Sequence, residues 1–354
     1  MSFDAFRRSR CFATCLMATV ATSVVGATAV CAQGSYAPYH VIATHTLGGD
    51  GGWDYLALDS VGHRLFVARN DRVMVIDEES GKLLAEIPGL KRTHGIAFDY
   101  HTGHGFVTAS GDSSVTMFDL QTLKPLGAVK AGAGADALIF DEGSRHAFSF
   151  NGAANSATVI DGATGRSIAT IPLGGRPEFA ASDAKGKIFV NLEDSSAIVE
   201  LDSHTNRVTR HWSLAPCESP SGLAIDLAHH LLFSGCENKL MTISDYETGT
   251  VVATAPIGRG VDADRFDPGT GLAFSSNGEG SITVVHEDSP RKFSVVQTVA
   301  TALGARTMEL DRANHRLFTV TARFGAAPEK ATPENPRRRP PILPDSFMLL
   351  VLGQ

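Results

Sequence analysis

The stretch Tyr55–Ala68, YLALDSVGHRLFVA, contains an aspartate followed seven residues later by a phenylalanine. Two apolar runs flank a turn that contains glycine and histidine, a pattern typical of two short antiparallel strands. The same unit occurs seven times in the chain. Its aspartates are 40 to 44 residues apart, at Asp59, Asp99, Asp141, Asp183, Asp226, Asp267 and Asp311. The matching phenylalanines are Phe66, Phe106, Phe148, Phe189, Phe233, Phe274 and Phe318.

A period of this length, filled with short strands, is typical of β-propeller blades. In the first repeat, strands are predicted over residues 55–59, 64–68, 72–77 and 83–87, with a loop at Asn70–Asp71. The sequence therefore predicts an all-β, seven-bladed β-propeller with four antiparallel strands per blade. We expect residues 39–354 to form it as a single domain.

The seventh repeat is interrupted. Residues 305–320 supply its first two strands, and residues 347–351 a third, but no fourth strand follows. The segment His40–Leu47 resembles the outer strands of other repeats, so we expect the N-terminal strand to close the last blade. Closure of the ring removes exposed sheet edges.

A Pro- and Arg-rich insert, residues 323–346, separates the second and third strands of this repeat. Its prolines predict an extended or irregular segment, because proline breaks a helix. Three consecutive arginines, 337–339, make it locally basic. We consider three roles for the insert: a cover over the channel mouth, a contact for an acidic partner, or a solvated loop.

Residues 1–32 have the pattern of a cleaved secretory signal peptide. Arg7, Arg8 and Arg10 precede the uncharged run Cys11–Val30, and small residues predict cleavage after Ala32. The alternative is an uncleaved anchor, because about 20 apolar residues can span a bilayer. We expect a periplasmic or secreted protein with no membrane span in the mature chain.

Composition narrows the range of partners. The formal net charge is −7, so general nucleic-acid binding is not expected.

Cys217 and Cys236 remain after removal of the signal peptide, and both lie at connections of one repeat. In an oxidising compartment they are expected to form a disulfide. A thiolate metal site is the alternative, but it lacks the nearby Cys or His residues it needs. We expect a monomer.

The sequence also resembles a known family. The stretches LFVARN (65–70) and KIFVN (187–191), with the third-strand sequence VID (75–77), are similar to repeats of the YncE-like family of exported proteins, which are built from YVTN β-propeller repeats. The resemblance covers residues 39–354. It implies a seven-bladed propeller outside the cytoplasm, often without an assigned activity. Some relatives are associated with DNA or with metal-related export, but no residue set here matches either role.

One set of polar residues lies five positions before each repeat aspartate, where the first strand of each repeat begins. These residues are Asp54, His94, Asp136, Glu178, Ser221, Asp262 and Arg306. Innermost strands line the channel of a propeller, so the side chains are expected to converge at its mouth. Carboxylates with an imidazole suit a divalent cation, and the candidate metal ligands are Asp54, His94, Asp136, Glu178 and Asp262.

A structural role is the alternative for these residues, because polar groups at strand starts also satisfy loop backbones. Five arginines are available to pair with the acids: Arg92, Arg176, Arg259, Arg265 and Arg306. In the sixth repeat, Asp262 and Asp264 are expected on one strand face, where like charges raise a pKa unless Arg265 or Arg306 intervenes. Five histidines, His63, His104, His146, His230 and His315, are interpreted as turn residues tolerant of positive φ.

No catalytic residue is assigned from the sequence. It contains no Gly-x-Ser-x-Gly elbow, no phosphate-binding loop and no His-Glu-x-x-His zinc helix. We therefore expect a binding or scaffold module, with a divalent metal or another small ligand at the channel mouth, rather than an enzyme. A metal-dependent hydrolase or lactonase using the same residues is the alternative. A third hypothesis is an interaction platform that engages an unknown protein partner through residues 323–346.

Overall fold

The computed structural model describes residues 37–332 and 338–354. The predicted signal peptide, residues 1–32, lies outside this range, as do residues 333–337 of the insert. Residues Pro38–Gln354 form one compact unit. In the described ranges there is no helix long and apolar enough to cross a membrane.

The described residues form antiparallel sheets and one short 3₁₀ helix, Gly152–Ala154. One sheet has six strands: β2 (Leu56–Asp59), β3 (Arg64–Asp77), β4 (Leu83–Asp99), β5 (His104–Ala109), β6 (Ser114–Asp119) and β7 (Pro125–Lys130). Two four-stranded sheets follow: β8 (Ala135–Asp141), β9 (His146–Asn151), β10 (Ser156–Asp161) and β11 (Ser167–Pro172), then β12 (Pro177–Ser182), β13 (Lys187–Leu192), β14 (Ala197–Asp202) and β15 (Arg207–Ser213).

Three further four-stranded sheets complete the fold. The first contains β16 (Pro220–Asp226), β17 (Leu231–Cys236), β18 (Leu240–Asp245) and β19 (Thr250–Pro256). The second contains β20 (Val261–Asp267), β21 (Leu272–Asn277), β22 (Ser281–Ser289) and β23 (Lys292–Ala300). The last contains β24 (Met308–Asp311), β25 (Arg316–Thr321), β26 (Met348–Gly353) and β1 (His40–Thr46).

The predicted seven separate blades are wrong. Counted by hydrogen-bonded sheets in the described residues, the protein is a six-bladed β-propeller, because the first two repeats share the six-stranded sheet. Strand β3 continues through Asn70–Asp71, where the sequence predicted a loop, and β4 spans the junction between the two repeats. Asn70 pairs with Thr93 across these long strands, which keeps the two repeats in one hydrogen-bonded ladder.

The N-terminal strand pairs with the C-terminal one. His40 lies opposite Gly353 and Thr46 opposite Met348, in the sheet order β1-β26-β25-β24. This is the closure expected from the interrupted seventh repeat. Within the described part of the insert, no helix is present, and a single bridge joins Phe324 to Ile342.

The residues that define the repeat are buried. All seven repeat phenylalanines are fully buried, and Asp183 is the one repeat aspartate that is not in the buried class. Each buried phenylalanine contributes about 2–3 kcal/mol through removal of apolar surface from water. The aspartates accept hydrogen bonds from turn backbones, as Asp141 does from Ser144 N at 2.8 Å. These hydrogen bonds fix the geometry of each turn and disturb the packing of the core little.

Three of the five turn histidines have positive φ. The angles are 54° for His63, 60° for His230 and 53° for His315. His104 and His146 instead begin β5 and β9, and the residues before them take the left-handed conformation. The turn interpretation therefore holds for the backbone of three repeats.

Cys217 and Cys236 form a disulfide with a Cα–Cα distance of 5.6 Å. Cys217 lies just before β16 and Cys236 ends β17, and both are buried. The bridge therefore fixes the connection that enters β16, the strand that carries Ser221.

The first strands of the repeats form a closed inner ring. Successive contacts run from β2 to β4, β8, β12, β16, β20 and β24, and β24 contacts β2. The space they enclose is the central channel. The ring is tight: a Cβ added to Gly95 would lie 2.4 Å from the backbone N of Leu138 in the neighbouring sheet. The lower blade count therefore leaves the convergence of the first strands intact.

Candidate functional site at the channel mouth

We use channel mouth for six residues: Asp54, His94, Asp136, Glu178, Asp262 and Arg306. Five of them lie within two residues of the start of an inner strand, and His94 lies inside the long strand β4. In β4, β8, β12 and β20 a register shift occurs at the polar residue, for example between Thr93 and Ile96 and between Ala135 and Leu138. A β-bulge redirects a side chain out of the regular alternation. The bulges therefore account for polar side chains at the start of strands that are otherwise apolar.

His94 lies between two carboxylates. Its Nδ1 forms a short contact with Asp54 Oδ2 and lies 3.3 Å from Asp136 Oδ1. Its Nε2 lies 2.8 Å from Ser110 Oγ. A hydroxyl both donates and accepts, so Ser110 can orient either neutral tautomer of the ring. Donor atoms of Asp54, His94 and Asp136 all lie within 4.8 Å of one another.

Arg306 is the cation of the channel mouth that reaches two acids. Its Nε lies 2.9 Å from Asp262 Oδ2, and its terminal nitrogen lies 3.3 Å from Asp54 Oδ1. Ser221 donates a hydrogen bond to Asp262 Oδ1 at 3.2 Å. Of the seven residues predicted to converge, six are thus joined by direct contacts.

Glu178 is the exception. No hydrogen bond or ion pair joins its carboxyl to another residue in the described ranges. Burial is the main cause that raises the pKa of Glu178 to about 9; the charges of Asp136 and Asp262 contribute to the rise, and Arg176 opposes it. A group with this pKa is protonated at neutral pH.

Burial also raises the pKa of Asp136 and of Asp262, although His94 opposes the change at Asp136 and Arg306 opposes it at Asp262. For His94, burial lowers the pKa, but the hydrogen bond to Asp54 and the charge of Asp136 outweigh it, and the net pKa is raised. The channel mouth therefore holds more protons at neutral pH than the same residues would hold in water.

The other predicted arginines differ in their partners. Arg176 pairs with Glu193, Arg259 with Glu279 and Arg265 with Glu309, at distances of 3.0, 3.1 and 3.0 Å. None of these three forms an ion pair with an acid of the channel mouth in the described residues. Arg306 alone has that role, which leaves the site rich in carboxyl groups.

Asp264 does not belong to the channel mouth. It is fully buried, and its Oδ2 accepts a hydrogen bond from the backbone N of Gly235 in the neighbouring sheet. Burial raises the pKa of Asp264 to about 7. The register shift between Val261 and Ala263 falls at Asp262, so the expected shared face of Asp262 and Asp264 is broken by a bulge.

The structure adds a second layer that the sequence did not predict. Tyr55 packs on Phe179 with ring centroids 5.0 Å apart, and Arg265 lies over the same ring at 5.1 Å. Burial raises the pKa of Tyr55 well above its usual value, and the acids of the channel mouth raise it further. Arg265 and Glu309 line a cavity of about 630 Å³ among the inner strands.

Neither a protein-family model nor a curated protein matches the sequence. Among solved structures, 1813 chains match, so the likeness identifies a widespread fold rather than an activity. One is a chain in the structure titled "Crystal Structure of Mitotic Checkpoint Complex", with a TM-score of 0.69 and 14% sequence identity. The match covers 88% of this chain and 95% of that chain. At this identity the comparison shows a shared β-propeller fold.

Proposed function

We propose that the protein is an exported binding module whose channel mouth binds a divalent cation. The ligands are Asp54, His94 and Asp136. The observation that carries the proposal is the position of His94 Nδ1, which faces one oxygen of each carboxylate while Nε2 is held by Ser110. Metal-binding histidines are commonly oriented in this way through their second ring nitrogen.

The electrostatics support a cation rather than an anion. Four carboxyl groups surround the site, and in the part of the chain that the structure describes Arg306 is the one arginine that pairs with them. At neutral pH, protons held by Glu178 and in part by Asp262 compensate for the charge of the acids, and a cation would replace part of them. Binding should therefore release protons and strengthen as the pH rises, because metal ligands must be deprotonated.

The two oxygens and one nitrogen suit Mn²⁺ or Zn²⁺. A small organic cation is the other ligand class that this charge pattern accepts. It would pair with the carboxylates without displacing His94 from Asp54.

The experiment is calorimetric titration of the purified protein with Mn²⁺. We expect one equivalent at the channel mouth, with release of protons detected in buffers of different ionisation enthalpy. Asp136→Asn should weaken this binding at least about tenfold. Glu279→Gln, which changes an exposed acid paired with Arg259, is the matched control and should bind as the wild type does. Equal affinities in all three proteins would refute the assignment.

One observation favours hydrolysis as a second candidate. Glu178 combines a pKa near 9 with a position beside the proposed metal ligands, and a perturbed acid near a metal is typical of acid–base catalysis. A metal-dependent hydrolase or lactonase would use the bound cation to activate water. A screen of lactone and ester substrates, with and without chelator, tests this candidate; activity that survives both chelation and Glu178→Gln counts against it.

The disulfide supports export, because stable disulfides occur mainly outside the cytosol. We therefore propose a periplasmic or secreted location and, with it, membership of the YncE-like exported propellers. Fractionation of the native host tests the location.

The solved neighbour is described as part of a complex, and we extend the proposal to a protein partner. Affinity capture with and without residues 323–346 tests whether the insert contributes to such an interaction. Identical capture by both forms would exclude the insert.

A further inference from the structure

We propose that Asp226, His229 and Glu287, the turn site, bind a second divalent metal ion of the Zn²⁺ class. His229 lies in the turn after β16, and Glu287 lies in β22 of the next sheet. His229 Nδ1 is 2.7 Å from Asp226 Oδ2 and 3.0 Å from Glu287 Oε1. The three donor atoms lie within 4.8 Å of one another.

An unsatisfied oxygen points to a missing cation. The side chain of Glu287 is 4% exposed, yet its Oε1 accepts no hydrogen bond. The nitrogen beside it, His229 Nδ1, carries at most one proton, and its hydrogen bond is with Asp226 Oδ2 at 2.7 Å. A buried carboxylate oxygen without a donor is unfavourable, because burial removes the water that would otherwise solvate it.

The acid at the same position of the first repeat, Glu78, has partners: His63 Nδ1 lies 3.0 Å from its Oε1, and Arg316 also reaches it. Glu78 directly follows β3, and its backbone N, like that of Glu287, donates to the residue before the second strand of its repeat. Glu78 faces the repeat aspartate Asp311, and Arg316 lies between them. The terminal nitrogen of Arg316 is 3.3 Å from Asp311 Oδ2 and 3.6 Å from Glu78 Oε1.

The turn site lacks this guanidinium. Arg316 is the first residue of β25 and pairs in register with Asp311. The residue at the corresponding position of β17 is Leu231, which pairs with Asp226. Two buried carboxylates therefore share one histidine, where the other repeat has a permanent cation. A metal ion bound by the three side chains would supply the charge.

The donor set and the access to solvent fit zinc. Zinc binds histidine nitrogen and carboxylate oxygen at about 2.0–2.2 Å, commonly with three protein ligands and one water. Tetrahedral ligands at that distance are about 3.3 Å apart, so His229 Nδ1 needs to move away from each carboxylate oxygen by only a few tenths of an ångström. The side chain of His229 is 44% exposed. Its ring is therefore free to rotate away from the two carboxylates, and there is room for a water ligand.

The first test is a crystal of the wild-type protein soaked in Zn²⁺, with data collected on both sides of the zinc absorption edge. We expect an anomalous peak within about 2.2 Å of all three donor atoms. Zinc at other positions only, or at none, overturns the proposal. Because the peak is located in space, the outcome is independent of whether the channel mouth binds metal.

The second test is zinc titration against a chromophoric chelator. Glu287→Gln should weaken one zinc equivalent at least about tenfold. Glu78→Gln is the matched control, because it changes the equivalent buried acid beside Arg316, and it should retain that equivalent. Leu231→Arg places a guanidinium at the position that Arg316 occupies in the other repeat. It should abolish binding of the same zinc equivalent. Unchanged zinc stoichiometry and affinity in Glu287→Gln and Leu231→Arg would contradict the proposal.

Discussion

Arg306 Nε lies 2.9 Å from Asp262 Oδ2. This pair sets the charge of the channel mouth, because the same guanidinium also reaches Asp54. A positive charge so close to the proposed ligands repels a second cation. Arg306 therefore limits the affinity of the site while it stabilises the inner ring.

Arg306→Met should strengthen Mn²⁺ binding, by about tenfold at low ionic strength, because one like charge is removed from the site. The same change should lower the free energy of unfolding by about 1–2 kcal/mol, since it leaves partly buried carboxylates without their partner. Titration and urea denaturation measure the two effects. Arg259→Met, an exposed control, should change neither. Weaker Mn²⁺ binding by Arg306→Met would contradict this account.

Glu178 should make stability depend on pH. Its pKa in the folded protein, about 9, is above its unfolded value, so the protonated form is favoured by folding. The stabilising contribution is complete below the unfolded pKa and is lost as the pH rises through about 9. The free energy of unfolding of Glu178→Gln, measured relative to that of the wild type, should therefore rise between pH 5 and pH 9.5. Thermal unfolding in chelator measures this; parallel curves for the two proteins would argue against a buried, protonated Glu178.

The Cys217–Cys236 disulfide should stabilise the fold. The two cysteines are 19 residues apart, and closing a loop of this size contributes about 3 kcal/mol in the chain-entropy model. A variant with serine at both positions should lose this amount in urea denaturation and should be insensitive to reductant. If the wild type had the same free energy of unfolding with and without reductant, the disulfide would not stabilise the fold.

Strand β1 offers a matched pair of substitutions. Val41 packs against the core formed with Leu350 and Leu352, whereas its neighbour Ile42 is 48% exposed. Val41→Asp should lower the free energy of unfolding by about 1–3 kcal/mol, because it buries a carboxylate. Ile42→Asp should change it by no more than about 0.5 kcal/mol. Equal effects would mean that β1 does not dock with the face seen here.

Much of the architecture is predictable from local patterns. The repeat of aspartate and phenylalanine identified buried core positions and turn anchors, since Phe66 and its equivalents are all fully buried. The missing fourth strand of the last repeat identified the partner of β26. These features depend on strand periodicity and turn chemistry, which are written into short segments of sequence.

The blade count and the details of the site depend on contacts between residues that are far apart in the sequence. Continuation of β3 through Asn70–Asp71 depends on pairing with β4, so a polar dipeptide that reads as a loop extends the sheet. Bulges at the inner strands direct Asp262 to the channel and Asp264 to Gly235. The turn site is not predictable from sequence, because His229 and Glu287 are 58 residues apart and meet only between sheets. A leucine at position 231, where another repeat has arginine, was its one sequence signal.

The most direct test of the central claim is a crystal of the wild-type protein soaked in Mn²⁺, with anomalous diffraction measured. We predict a peak among Asp54, His94 and Asp136, with the histidine bound through Nδ1 and Ser110 still in contact with Nε2. A fully soaked crystal with no anomalous peak at the channel mouth, and with His94 still paired with Asp54, would contradict it.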